Sequence, residues 1–301
     1  MTSFRSWFRC LLIVHIGWCA GVQAQELDTS DIHRSSVVYG DESRADHILQ
    51  TLDVYQKRSD IRANPQSARP VVIYIHGGGW FFGDKADVHA KPAFFLSHDM
   101  VFVSANYRLQ AEYTLLDQLE DVANVISFVH REHRRFQIDP DRIILIGHEA
   151  GGHLVSLIAT DPRYLKQVGL SPSNVKGVVA INSIAYDLAH RMANSEDYLE
   201  QRRIRLAFGE SETVWKTVSP ISHVGVKGQE AALPAFALLH VAEDVAQTEQ
   251  ARRFARELQG AGSEVLIIPA NSKTRDTIDQ ELGNPGDTTS LALMAFLRAK
   301  L

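Results

Sequence analysis

The residues that point most directly to chemistry are in the segment Gly147–Gly151 (Gly-His-Glu-Ala-Gly), which follows the apolar run Ile143–Ile146. A buried strand, a sharp turn flanked by small residues and a helix start together predict a nucleophile elbow of the type Gly-x-Ser-x-Gly. In such an elbow the middle residue projects over the edge of the sheet toward a substrate. The middle residue here is Glu149, so the turn presents a carboxylate where the motif has a hydroxyl.

A glycine-rich turn, His76–Trp80 (His-Gly-Gly-Gly-Trp), follows a second apolar run, Val71–Ile75. Successive glycines let the backbone turn tightly and leave N–H groups uncovered, and such groups can stabilise an oxyanion. The N–H groups predicted to form an oxyanion hole are those of Gly78, Gly79 and Ala150. The side chains predicted to line the adjoining pocket are those of His76, Trp80 and His148.

These two motifs belong to a longer series that resembles one known family. The chain is similar, from about residue 48 to its end, to α/β-hydrolases of the hormone-sensitive-lipase-like and feruloyl-esterase-like group. The further matching motifs, in chain order, are Gly83-Asp84-Lys85, Asn106–Leu109, Leu119–Val122, Ile138–Ile143, Ser219-Pro220-Ile221 and Leu282–Asp287. The resemblance implies an α/β-hydrolase fold, with a mostly parallel eight-stranded sheet, helices on both faces and a small lid insertion. It also implies ester hydrolysis by a Ser-Asp-His triad.

By that resemblance, Glu149 stands at the nucleophile position, Asp244 at the acid position and Arg275 at the base position. No histidine follows His240 in the sequence, so a shift of the alignment does not restore the base. Glu149 has no hydroxyl, and Arg275 stays protonated at any ordinary pH. Because the acyl-transfer route of serine hydrolases needs both a hydroxyl and a base, we predict a degenerate catalytic triad.

Glutamate and arginine at two positions whose side chains normally touch can form a charge-assisted ion pair. We hypothesise a Glu149–Arg275 salt bridge that closes the former active site. In this interpretation the protein is a pseudoenzyme whose old pocket binds a small molecule or a protein. Gibberellin receptors resemble the same family and are binding proteins, which supports the interpretation by analogy of fold alone. The alternative for the two residues is drift without pairing.

In two other interpretations the protein is an active enzyme. Glu149 can act on an ester-like substrate as a nucleophile, as the elbow aspartate does in dehalogenases and epoxide hydrolases of this fold, or as a general base toward water. His148, Glu149 and His153 can also be compared with the zinc-protease motif, whose histidines are four residues apart on one helix face. The spacing here is five residues, so we expect no metal, and we expect no cofactor.

Strand-like and helix-like segments alternate along the chain and predict a doubly wound parallel sheet in the α/β class. The candidate strands are Val37–Tyr39, Ile48–Tyr55, Val71–Ile75, Met100–Ala105, Ile143–Ile146, Gly177–Ile181, Ala235–Val241 and Glu264–Ile268. The candidate helices are Asp117–Phe136, Ala150–Ala159, Thr248–Leu258 and Thr288–Leu297. Residues 185–232 carry much charge and little strand signal, so we predict a lid insertion over the carboxyl edge of the sheet, where ligands bind in such folds.

Four polar segments have structural interpretations. Asp84 is expected to fix the oxyanion loop rather than act as an acid. The segment Asp139–Arg142 predicts a turn before a strand. Arg202-Arg203 and Arg252-Arg253 are interpreted as solvated faces of helices.

The first 24 residues form a separate unit of the sequence. Arg5 and Arg9 precede a short apolar run, Cys10–Ala20, and Val22-Gln23-Ala24 fits a signal-peptidase site. We expect a secretory signal peptide cleaved after Ala24, a single domain over residues 25–301, and a secreted or periplasmic protein. Cleavage would remove both cysteines, which excludes a disulfide, a thiol nucleophile and a cysteine metal site in the mature chain.

The composition is that of a globular protein. The chain has 301 residues, of which 45% are hydrophobic and 22% charged, values that exclude disordered and collagen-like classes. The formal net charge is −5 without a basic run, so we expect no nucleic-acid partner. The apolar run in the signal segment is too short to span a bilayer, and we expect no membrane span after its removal. The expected partner is a small-molecule ligand or ester-like substrate, and the oligomeric state stays open.

Overall fold

The computed structural model describes residues 29–301 apart from 41–42, 44, 63–67 and 227–231. The expected signal peptide, residues 1–24, lies outside the described residues. The strands are β1 Ile32–Val38, β2 Thr51–Lys57, β3 Arg69–Ile75, β4 Val101–Ala105, β5 Ile138–His148, β6 Val175–Ile181, β7 Ala235–Val241 and β8 Val265–Ala270. The α-helices are α1 Arg58–Arg62, α2 Lys91–Ser97, α3 Leu115–Arg131, α4 Ala150–Thr160, α5 Pro162–Gln167, α6 Leu188–Asn194, α7 Tyr198–Phe208, α8 Glu212–Thr217, α9 Val245–Gly260, α10 Thr277–Gln280 and α11 Thr288–Arg298. In the described part of the chain, no helix has both the length and the apolar character needed to cross a membrane.

The strands form an eight-stranded sheet in the order β1-β2-β4-β3-β5-β6-β7-β8. The pairs β1–β2 and β2–β4 are antiparallel, and all other neighbours are parallel. The carboxyl ends of the parallel strands therefore meet at one edge of the sheet, where ligands bind in open α/β folds. The predicted fold, a mostly parallel sheet with helices around it, is confirmed.

Both faces of the sheet are buried, as β3 shows. Val71, Ile73 and Ile75 pack into one hydrophobic core, whereas Val72 and Tyr74 pack into the other. Each of these side chains is at most 1% exposed. The helices α3, α4 and α9 contribute to the first core, and α2 and α11 contribute to the second. The continuous apolar runs in the sequence thus come from strands covered on two sides.

The strand before the elbow begins earlier than predicted. Asp139–Arg142, predicted as a turn, lies inside β5. Asp139 does form a turn-type bond, because its Oδ1 accepts from the backbone N–H of Asp141 at 3.0 Å. The pairing of β3 with β5 shifts register at this point, because Arg69 pairs with Ile138 whereas Val71 pairs with Ile143. The local turn chemistry was identified correctly, but the extent of the strand was wrong.

The segment predicted as a lid insertion contains α6, α7 and α8 and, among its described residues, no strand. A buried ion pair between Arg191 and Glu200 joins α6 to α7. The backbone carbonyl of Val218 accepts a hydrogen bond of 2.7 Å from Nε2 of His153. Since His153 lies on α4, this bond ties the insertion to the helix that follows the elbow, at the carboxyl edge of the sheet.

Candidate functional site

The turn between β5 and α4 holds Glu149 at the carboxyl edge of the sheet. Its backbone angles are φ 43° and ψ −108°, a conformation that costs a non-glycine residue on the order of 1–3 kcal/mol. The turn is tight because α4 packs very closely on β3: a Cβ on Gly151 would lie 2.1 Å from the carbonyl oxygen of Ile75. The chain therefore has the backbone geometry of an elbow, with a carboxylate at its centre.

The carboxylate of Glu149 turns toward the glycine-rich loop. Its Oε2 lies 3.4 Å from the backbone N–H of Gly78, which donates to it. No ion pair joins Glu149 to Arg275, both of which belong to the described residues, and the arginine pairs elsewhere. The hypothesised Glu149–Arg275 salt bridge is therefore wrong. The salt bridge does not form because the elbow directs Glu149 toward the glycine-rich loop and because another carboxylate pairs with Arg275.

That carboxylate is Asp244. Oδ2 of Asp244 lies 3.2 Å from Nη2 of Arg275. Asp244 also precedes α9 and caps it, because its Oδ1 accepts from the backbone N–H of Gln247 at 3.0 Å. The backbone carbonyl of Arg275 accepts a hydrogen bond of 3.1 Å from Nε2 of His148. The structure thus brings the acid and base positions together, but as a carboxylate–guanidinium pair rather than a carboxylate–imidazole pair.

The glycine-rich loop and the start of α4 present backbone N–H groups around the elbow. Gly78 has φ 108°, a left-handed conformation that favours glycine. Ala150 is the first residue of α4, so its N–H has no acceptor within the helix. Gly79 and Ala150 line the same cleft as Glu149. Gly78 lines a second cleft, which Glu149 also borders. All three predicted oxyanion-hole residues therefore line clefts that the carboxylate of Glu149 borders.

Trp80 anchors the loop to the elbow helix. Its Nε1–H donates to Nδ1 of His153 at 3.2 Å, and its carbonyl accepts from Nε2 of Gln118 at 2.9 Å. Burial lowers the pKa of His153 to about 4. The imidazole is therefore neutral at ordinary pH, accepts from Trp80 through Nδ1 and donates through Nε2 to Val218. This chain of bonds makes loop, elbow helix and insertion one unit.

Asp84, which is predicted to fix the oxyanion loop, makes contacts that hold this loop in place. Its Oδ2 accepts from Nδ2 of Asn106 at 3.2 Å, and Oδ1 of Asn106 accepts from the backbone N–H of Lys85 at 2.5 Å. Nζ of Lys85 pairs with the buried carboxylate of Asp53 at 2.6 Å. The motif residues Asp84, Lys85 and Asn106 thus fasten the loop to the sheet instead of facing a substrate.

His76 lies in the wall of the second cleft and makes local contacts. Its ring stacks on Tyr107 with 4.4 Å between ring centres, and its Nδ1 donates to the carbonyl of Gly77 at 2.8 Å. Burial lowers the pKa of His76. Its buried Nε2 has no hydrogen-bond partner among the described residues. Burial, and next the charge of Glu149, raise the pKa of Tyr107, whose hydroxyl donates to the carbonyl of His76.

Two clefts meet at Glu149. The elbow cleft is narrow, with a volume of about 20 Å³, and its polar lining consists of Glu149, Asn182, Arg203, Gln247 and Arg275. The loop cleft is larger, with a volume of about 350 Å³, and its titratable lining consists of His76, Asp87, His89, His148, Glu149, Asp276 and Asp279. Of the three predicted pocket residues, Trp80 lines the elbow cleft, whereas His76 and His148 line the loop cleft. Within the described ranges, no group of three or more His, Cys, Asp or Glu side chains is arranged to hold a metal ion.

Three residues of the elbow cleft have no sequence motif of their own. Asn182 directly follows β6 with φ 55° and is 1% exposed, and Gln247 on α9 is also 1% exposed. Arg203, interpreted as part of a solvated helix face, is exposed but lines the cleft. Of these three residues, only Asn182 could have been identified from the sequence, because a polar residue directly after a parallel strand lies at the ligand-binding edge of the sheet.

The interpretation of Arg253 as solvated also needs correction. It pairs with Asp187 at 2.8 Å. The side chain therefore joins α9 to the residue that caps α6, and is only partly exposed.

Comparison with known proteins identifies esterase relatives. The sequence model of the BD-FAE family matches residues 52–258. Isoprenylcysteine alpha-carbonyl methylesterase ICME of Arabidopsis thaliana is 28% identical over 249 residues, which cover 80% of this chain and 56% of that protein. Esterase LipC of Mycobacterium tuberculosis is 29% identical over 279 residues, which cover 88% of this chain and 65% of that protein. The chain thus spans between half and two thirds of the length of the curated relatives it matches.

A solved structure supports the same fold. A truncated carbohydrate esterase from gut microbiota superposes with a TM-score of 0.73 at 20% identity, and the match covers 92% of this chain and 99% of that one. At this level of identity the likeness concerns the fold.

Proposed function

Because the chain belongs to the BD-FAE family of esterase-like α/β-hydrolases, we propose that it has lost serine-hydrolase activity and uses the former active-site cleft to bind a small molecule or a protein segment. One observation carries the proposal. The elbow presents Glu149, and the position that would supply its base holds Arg275, already paired with Asp244. A permanent cation cannot take a proton, and a carboxylate side chain cannot form the acyl-serine ester.

The intact frame around the lost triad supports a binding role. The glycine-rich loop remains fastened through Trp80 and Asn106, and the elbow keeps its strained backbone at Glu149. Backbone strain of this size persists where the surrounding structure enforces it, and such sites are commonly functional. The N–H groups near the elbow can hold an acceptor group of a ligand as readily as an oxyanion.

A second candidate function is hydrolysis by Glu149 itself. The absence of an ion pair between Glu149 and any described residue favours this candidate, because the carboxylate is partly exposed and borders a loop cleft of about 350 Å³. A carboxylate in that position can act as a general base toward water. If Glu149 acts instead as a nucleophile, water must then cleave the covalent intermediate, and the residue at the base position is the cation Arg275. The second candidate therefore requires the general-base form.

Restoring the missing groups tests the proposal. We expect the wild-type protein and the Glu149→Ala control to hydrolyse p-nitrophenyl butyrate at the buffer rate. The double variant Glu149→Ser/Arg275→His should exceed each single variant by roughly 10²-fold or more, the usual contribution of a general base. Circular dichroism checks that each variant is folded. A folded double variant as slow as its parents would contradict the claim that these two positions separate the chain from a working esterase.

We also propose that the protein is exported. The proposal rests on Arg5, Arg9 and the apolar run that precedes Val22-Gln23-Ala24. N-terminal sequencing of protein recovered from the periplasm or medium should begin at Gln25. Recovery in the cytosol with Met1 retained would contradict export.

A further inference from the structure

We propose that the loop cleft binds a primary alkylammonium cation, held by the carboxylates of Asp87, Glu149 and Asp276 and by Nε2 of His76. The inference goes beyond the proposed function, because it concerns the cleft beside the elbow and holds whether or not esterase activity is lost. It follows from three properties of this cleft: its volume, its excess of carboxylates, and a buried imidazole nitrogen that lacks a donor.

The loop cleft has room for a small molecule. Its volume is about 350 Å³, which lies within the range of small-molecule sites. Its walls come from three separate parts of the chain: the end of β3 with the glycine-rich loop, the elbow, and the turn that leads into α10. A ligand in this space would therefore contact all three parts at once.

Four carboxylates line this cleft, and only one of them has a cationic partner. Asp279 pairs with the buried Nζ of Lys91 at 2.9 Å. Asp87, Glu149 and Asp276 form no ion pair with any described residue, and the described lining includes neither lysine nor arginine. A concave site lined by charges of one sign raises the local concentration of the opposite ion. The charge of the cleft therefore favours a cation.

The histidine in the wall of the cleft points to a ligand that donates a hydrogen bond. His76 is 2% exposed, and its Nδ1 donates to the carbonyl of Gly77 at 2.8 Å. Burial lowers the pKa of His76, so the ring is neutral and Nε2 is an acceptor. This buried Nε2 has no donor among the described residues, although nearly all buried polar atoms in native proteins have a partner. An N–H group of a ligand would supply the missing donor.

The carboxylate of Asp87 lies close to the same ring. Its negative charge, together with the hydrogen bond to Gly77 and the charge of Asp84, opposes the effect of burial on the pKa of His76. One ammonium group can therefore serve the imidazole and a carboxylate together, since it carries three donors.

The remaining groups of the lining agree with a ligand that donates and does not accept. The hydroxyl of Tyr74 donates to Asp279, and the N–H of Gly78 donates to Glu149. Carboxylate oxygens are acceptors only, and a primary ammonium is a donor only. A metal ion fits less well, because the described part of the chain has no group of three or more His, Cys, Asp or Glu side chains arranged to hold one. A second ammonium would contact a second carboxylate, so a diamine should bind more tightly than a monoamine.

Calorimetric titration of the purified protein tests the proposal with four probes that share a four-carbon chain. These are 1,4-diaminobutane, butylamine, butyltrimethylammonium, which has the charge of butylamine but no N–H group, and the neutral 1,4-butanediol. We expect the diamine to bind most tightly and butylamine next. Butyltrimethylammonium and butanediol should each bind at least about tenfold more weakly than butylamine, because hydrogen bonds between charged groups are lost.

Three matched variants each remove one negative charge. Asp87→Asn and Asp276→Asn change the cleft, and Asp141→Asn changes an exposed residue near the start of β5, away from the carboxyl edge of the sheet. Each cleft variant should weaken binding of the diamine by about tenfold, whereas Asp141→Asn should change it by less than about twofold. Urea unfolding checks that the variants are as stable as the wild type.

Several outcomes would overturn the inference. Equal losses in Asp141→Asn and the two cleft variants would show a general effect of surface charge. Binding of butyltrimethylammonium as tight as that of butylamine would refute the assignment to a primary ammonium, and equal binding of butanediol would refute any role of charge. Absence of binding by both amines to the folded wild type would also overturn it. Ester hydrolysis judges the proposed loss of esterase activity separately.

Discussion

Protonation of His153 should weaken the fold as the pH falls, by an amount that the structure sets. The folded protein holds the pKa of this buried imidazole at about 4, because of desolvation, whereas an exposed histidine has a pKa of about 6.5. The folded-state pKa is depressed, so the unfolded chain takes up the proton first. The neutral form therefore contributes stability that is present above about pH 6.5 and is lost as the pH falls toward 4. Between about pH 7.5 and 4.5 the loss is about 2.5 kcal/mol.

The control variant is His153→Gln, since a carboxamide can keep both hydrogen bonds without titrating. Its nitrogen can donate to the carbonyl of Val218, and its oxygen can accept from Trp80. Urea unfolding followed by tryptophan fluorescence gives the free energy of unfolding at each pH. We expect the wild type to lose about 2.5 kcal/mol more than the variant over that range. Parallel pH profiles would refute the inference that a neutral, buried His153 links the elbow to the insertion.

Three further stability predictions concern charges, amides and strain around the clefts. Asp279→Ala should lower the free energy of unfolding by about 3–5 kcal/mol, because the fully buried side chain of Lys91 loses its ion-pair partner at 2.9 Å. Urea unfolding measures this loss, and a value under about 1 kcal/mol, as seen for exposed ion pairs, would contradict the prediction. Gln247→Met should raise stability by about 1 kcal/mol, since it removes two buried unpartnered atoms; a lower melting temperature would show that the amide has partners. Glu149→Gly should raise stability by about 1 kcal/mol, because glycine adopts the positive φ of the elbow with less strain; an unchanged melting temperature would argue against that strain.

The sheet could be predicted largely from the sequence because its strands are buried on both faces. Ala235–Val241 was predicted with the bounds that β7 has, since a continuous apolar run of this length indicates a parallel core strand. Boundaries that depend on capping were less accurate. Helix α3 was predicted from Asp117 but begins at Leu115, because Thr114 caps it and Asp117 closes a capping box. That signal was present in the sequence as Thr-x-x-Asp.

The candidate site could be predicted as a set of positions but not as a set of contacts. The elbow and the glycine-rich loop follow from local backbone requirements, which a motif records. The partner of Arg275 does not follow, because Glu149 and Asp244 both offer a carboxylate and the elbow geometry decides between them. Arg203 could not be assigned to the cleft at all, since its position depends on how the insertion packs over the sheet.

The most direct test of the central claim compares ester hydrolysis by the wild-type protein and by Glu149→Ala, prepared identically, on short p-nitrophenyl esters. Loss of serine-hydrolase chemistry predicts the same rate for both proteins, equal to that of buffer, because Glu149 supplies no hydroxyl and Arg275 no base. A clear wild-type rate that the alanine substitution abolishes would contradict the account and make Glu149 a working catalytic carboxylate.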